Sequence, residues 1–89
     1  MKSKEPPRNR LAKALPREWQ DYLLSVSVPK RKYTALVRAE LVGSVVIEEM
    51  VIEQGWILGV DRSALVGSDE RAVPIDPRQI LALTVIQMI

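Results

Sequence analysis

The fold class this sequence predicts is mainly β, an N-terminal α-helix followed by a five-stranded, strongly bent antiparallel barrel. Three observations carry that expectation. From residue 33 onward the apolar residues alternate with period 2, the spacing that puts every second side chain on one face of a strand. No stretch of 3.6-residue periodicity interrupts those strands, so connections are short and the pairing antiparallel. Finally, 89 residues without a single Cys or His must build one core without disulfides or zinc, and a small sheet bent onto itself is an economical way to do so.

Charge divides the chain. Residues 1–32 carry nine Lys/Arg against three acids, a net of +6, whereas residues 33–89 carry four Arg against eight acids, a net of −4. The overall +2 therefore conceals a basic leader joined to a mildly acidic, apolar body, a distribution suited to holding positive charge out toward a polyanion. Residues 1–14, polar and with Pro6 beside Pro7, lack the apolar surface that repays ordering and are expected to be a disordered basic arm. Residues 15–89 are expected to form the helix and the barrel. The basic start is not followed by a signal-length apolar core, and no apolar run approaches the roughly 20 residues that span a bilayer. The Cys-free composition adds a reducing compartment, so the expected location is cytoplasmic and no membrane partner is expected.

The helix follows from residues 16–26. Pro16 suits a first helical position because its missing N–H has no partner there, and Glu18 and Asp21 lie near the positive end of the dipole. Trp19, Tyr22, Leu23 and Val26 recur at i, i+3, i+4 and i+7, one apolar stripe of a short helix ending near Ser25. Pro29 then ends the helix, because it disfavours the α conformation at Val28.

The strands are read in turn. Ala35, Val37, Ala39 and Leu41 share one face of the first, with Thr34, Arg38 and Glu40 on the other. The second begins after Gly43, and there Val45 and Ile47 are out of phase with Met50 and Ile52. One extra residue at Glu48-Glu49 brings both halves onto a single core, so a bulge that bends the strand is expected at that pair. Gln54-Gly55 forms a tight turn into a third strand with Trp56, Leu58 and Val60 on one side. Residues 61–71 are a polar loop anchored by Leu65 and Val66, and residues 71–75 (RAVPI) are expected as the fourth strand. In the fifth, Ile80, Ala82, Thr84, Ile86 and Met88 on one face and Leu81, Leu83 and Val85 on the other leave almost no solvated side. Such a strand in so small a domain calls for a second cover; another subunit, favoured over the N-terminal helix of the same chain, assigns Leu81, Leu83 and Val85 to a homo-oligomer interface.

The residues at this point resemble a family. The helix start QDYLL (Gln20 to Leu24) and the strand WILGV (Trp56 to Val60), with a basic linker between and an apolar final strand, are similar to the Sm-like family of small SH3-like barrels, and within it to the bacterial Hfq proteins. The resemblance implies rings of about six or seven subunits that bind single-stranded, uridine-rich RNA. It operates at the level of fold, because the family's Tyr-Lys-His stretch has no counterpart in residues 71–76.

Candidate nucleic-acid contacts are Arg8, Arg10, Lys30, Arg31 and Lys32 for phosphates, and Tyr33, beside the basic triplet, for base stacking. Trp19, Tyr22 and Trp56 fit core packing better. Arg62 and Arg71 flank the polar loop and either line a cleft or pair with Asp61 and Glu70. The absence of His and Cys removes imidazole and thiolate chemistry, and Glu48 and Glu49, which without a bulge point to opposite faces, suit a solvated or inter-subunit role better than acid–base work, so no catalytic residue, metal site or cofactor is expected. The function expected is therefore that of an oligomeric single-stranded RNA-binding protein, not an enzyme. The alternative is an assembly module that takes a protein partner along its apolar last strand by β-augmentation.

Overall fold

The computed structural model describes residues 9–26, 33–66 and 72–89. Its elements are β1 (Lys13–Ala14), α1 (Arg17–Val26), β2 (Thr34–Leu41), β3 (Val45–Glu53), β4 (Trp56–Gly59) and β5 (Ile80–Met88), with 3₁₀ turns at Arg62–Leu65 and Pro77–Gln79. The fold is mainly β, with one N-terminal helix and a five-stranded antiparallel sheet ordered β1-β4-β3-β2-β5. The sheet does not close: β1 and β5 are its two ends.

The bend arises where the alternation breaks. On β2–β3 the register runs from Val37↔Met50 to Ala39↔Ile47, so two steps on β2 face three on β3 and the extra residue falls at Glu48-Glu49. That bulge turns Ile47, Met50 and Ile52 toward one core, as the two apolar halves of β3 require. The β3–β4 hairpin closes through Gln54 (φ 51°) and Gly55 (φ 90°), two positive-φ residues whose twist matches the flanking strands. Gly55 also leaves room for the helix: a Cβ there would lie 3.2 Å from the Gln20 side chain. Gln20 in turn donates Nε2 to the Leu15 carbonyl at 2.7 Å, and the Leu15 N–H donates to the Gly55 carbonyl at 2.9 Å. These bonds tie the start of α1 to the hairpin.

The main core lies on the concave side of the sheet. Ala35, Val37, Ala39 and Leu41 of β2 point into it together with Met50, Ile52, Ile57 and Leu23 of the helix. The helical stripe is narrower than its spacing predicts. Leu23 is fully buried and Trp19 half-buried against the core, while Tyr22 and Val26 remain exposed, so only the i, i+4 pair is used. A smaller cluster of Leu36, Val51, Leu58 and Ala64 covers the convex side, with Ala12, Trp56 and Leu65 packed on it.

Several expectations are corrected. Residues 9–14, read as part of a disordered arm, are ordered. Asn9 is buried, its Nδ2 donating to the Leu58 carbonyl at 2.9 Å while its Oδ1 accepts the Leu11 N–H at 2.9 Å. The chain that follows is thereby set beside β4 as β1. Residues 72–75 are not a strand: Pro74 and Pro77 remove two backbone donors, and Val73 and Ile75 bury their side chains from an irregular segment instead. The count of five strands thus stands, but β1 supplies the one assigned to residues 71–75. In the loop after β4, Leu65 and Ala64 pack inward, whereas Val66, expected as an anchor, is exposed.

The last strand differs most. From Leu36↔Gln87 to Val37↔Val85, and again from Glu40↔Ala82 to Leu41↔Ile80, one step on β2 meets two on β5, which makes Ile86 and Leu81 extra residues. The two bulges rotate Ile80, Leu83, Val85 and Met88 toward the main core. Leu81, Leu83 and Val85 therefore do not share an interface face. Leu83 is buried in its own chain, Val85 is half-buried there, and only Leu81 is exposed.

Candidate nucleic-acid and assembly surfaces

The predicted phosphate contacts fall in two groups. Arg8, Lys30, Arg31 and Lys32 lie outside the described residues. Arg10 is exposed in the turn that Asn9 anchors. Tyr33, the expected stacking platform, is instead 4% exposed and part of the main core. Burial raises its phenol above the usual value, partly offset by a hydrogen bond with the Gly55 backbone. A side chain so enclosed offers no face to a base, and its proximity to the basic triplet is a consequence of where β2 begins.

Cations of the β body are matched by carboxylates. Arg38 meets Glu40 at 2.6 Å and Glu48 at 3.7 Å, Arg62 meets Glu49 at 2.7 Å, and Arg78 meets Asp76 at 3.1 Å. Arg62 thus reaches across to β3, away from the loop neighbours expected for it; Arg71 and Glu70 lie outside the described residues. The hydrogen bond from Arg62 holds the Glu49 carboxyl below its ordinary value, and hydrogen bonds from the Arg78 side chain and backbone do the same for Asp76. These pairs are exposed and contribute little to stability. Their consequence is electrostatic: the sheet presents neutralised pairs where a phosphate-binding face would present bare guanidinium groups.

Two shallow grooves lie along the seam between β1 and the segment leading into β5. One, of about 280 Å³, is walled by Leu41, Val42, Val45, Pro74 and Ile75, and the other, of about 370 Å³, by Ala14, Leu15, Pro16 and Pro77. Lys13 stands between them and donates its Nζ to the Ile75 carbonyl at 2.7 Å, bridging the seam. Neither groove gathers a nucleophile with a base. Among the described residues no three of His, Cys, Asp and Glu come together as metal ligands. No helix among them is long and apolar enough to cross a membrane.

The two ends of the sheet are unequal. β1 is 2 residues long and abuts the bridged seam, whereas β5 is 9 residues long, ILALTVIQM, with no charge and no proline. Leu81 (64% exposed), Ile86 (50%) and the adjoining Ile89 (49%) project from it. Sequence reading located the strand but not its bulges. The signal was present in adjacent apolar residues of both parities, which an unbulged strand with one core face does not need. No family model matches the chain, and no curated protein or solved structure matches it either.

Proposed function

We propose that the protein is a self-associating, single-stranded nucleic-acid-binding domain, RNA being the expected ligand, that grips phosphates through its N-terminal arm and the linker before β2. The observation that carries this reading is the charge separation, sharpened by the ion pairs of the body. With Arg38, Arg62 and Arg78 facing carboxylates, the excess positive charge belongs to residues 1–32. Binding of this kind is driven by counterion release and is weakly selective for sequence, since Tyr33 offers no stacking surface. The bent meander β2-β3-β4, with β5 returning beside β2, supports an SH3-like or Sm-like barrel, open along one seam, as the type of fold. The Cys-free composition is consistent with a cytoplasmic setting, and no catalytic role is proposed.

Fluorescence anisotropy of a short uridine-rich RNA tests the reading. Binding is expected at about 50 mM salt and to fall steeply by about 200 mM, and K30Q/R31Q/K32Q is expected to flatten the log–log salt slope by about 2. Absence of binding at the lower salt overturns it. The outer edge of β5, which no strand among the described residues pairs, favours a second reading, an assembly module that adds a partner's strand to the sheet. Its mark is partner capture that survives neutralisation of the arm.

A further inference from the structure

We infer that β5 is the seat of a two-fold homodimer, two copies pairing antiparallel through this strand with Thr84 at the axis. The inference rests on the self-association part of the proposed function and not on nucleic-acid binding.

Three observations on β5 point to a second copy as its occupant. The strand pairs β2 along one edge, and no other strand among the described residues pairs it along the other. Its two bulges are one device that blunts an edge, but the strand lacks the others. A lysine, an inward charge or a proline is the usual guard, and ILALTVIQM has none of them. In a two-fold pairing the residue on the axis meets its own kind, so a charge there would face a like charge; Thr84 and every other residue of β5 are uncharged.

The bulges supply the register. The residues that β5 turns into the core, Ile80, Leu83, Val85 and Met88, are symmetric about Thr84: Leu83 and Val85 stand one residue to either side, Ile80 and Met88 four. Antiparallel pairing with Thr84 opposite Thr84 therefore sets Leu83 against Val85 and Ile80 against Met88, core face against core face. A one-residue slip would set inward residues against outward ones. The exposed Leu81 and Ile86, lying outside the core-facing set, flank the axis on either side and lose solvent contact in the pair. Thr84, itself exposed, meets its mate at the centre, a favourable cross-strand pair.

The opposite end of the sheet argues against a ring. Head-to-tail assembly must join unlike edges, and the edge available to receive β5 is β1, with 2 residues and a seam already bridged by Lys13. Only the symmetric arrangement uses the long edge on both partners.

Light scattering on the full chain and on T84K, T84E and their equimolar mixture tests the inference, with circular dichroism as the control for folding. Wild type is expected at twice the chain mass of 10.0 kDa. Each single variant should dissociate about fivefold or more readily, and the mixture should recover the dimer as a Lys–Glu pair across the axis. A ring-sized mass, or a dimer indifferent to T84K, overturns the two-fold β5 pairing while leaving self-association intact. A wild-type monomer at every concentration overturns both, and RNA binding by that monomer would leave the nucleic-acid reading standing alone.

Discussion

The two ends of the sheet solve the same problem in opposite ways. At β1 the unpaired backbone is 2 residues long, preceded by a turn that the buried Asn9 holds to β4 and followed by a seam that Lys13 spans to reach the Ile75 carbonyl. At β5 the edge that no described strand pairs is 9 residues long and uncharged, with Leu81 and Ile86 projecting from it. A short, charged, covered edge is what keeps a sheet monomeric, and a long apolar one invites another strand. The contrast shows that edge protection in this domain is local. One end is closed by its own chain, and the other is covered by no strand among the described residues.

The covered end breaks hardest from beneath. Leu58, 2% exposed, lies under the Asn9 turn in the convex cluster, and Leu58→Ala should cost about 2–5 kcal/mol in a denaturant melt. A cost below about 1 kcal/mol would show that the convex cluster does not hold this end. Asn9→Ala is the sharper probe. It removes the donor to the Leu58 carbonyl and the acceptor of the Leu11 N–H, for about 1–3 kcal/mol, and should speed amide exchange at Lys13 and Ala14 before it does so on β5. Equal acceleration at both ends would remove the distinction between them.

Smaller effects sharpen the same comparison. Lys13→Met deletes an exposed hydrogen bond to the Ile75 carbonyl and should lower stability by only about 0.5 kcal/mol. Its informative readout is whether the new apolar surface at the seam changes the association state, and no change is expected. The smallest effect is one of pH. The Asp76 carboxyl, held below its ordinary value by the Arg78 hydrogen bonds, contributes stability that is present above the usual carboxylate range and lost as pH falls through its lowered folded value. Acid melts of Asp76→Asn should lack that component. An unchanged acid profile would mean that the Asp76–Arg78 pair does not persist in solution.

Much of the covered architecture was legible in the sequence, because it follows from local alternation. The inward set of β2, the Gln54-Gly55 turn and the Glu48-Glu49 bulge are all dictated by which neighbours must share a core. What was not legible depends on partners distant in sequence. Asn9 looks like one more polar residue of an arm until the Leu58 carbonyl, 49 residues on, accepts its amide. Residues 71–75 have the right alternation for a strand, but Pro74 and the proximity of β1 give the sheet position to another segment. The candidate site was less legible still. Tyr33 borders a basic triplet yet folds into the core, and the parity of Leu81, Leu83 and Val85 misleads because the bulge at Leu81 sets it apart from the other two.

The central claim, that β5 is the edge left to a second copy, is met most directly by amide hydrogen exchange as a function of protein concentration. The account predicts that protection across Ile80–Met88 rises with concentration, centred on Thr84, while Lys13 and Ala14 exchange at a constant rate. Concentration-independent exchange along β5, or a gain of protection at β1 instead, would contradict it.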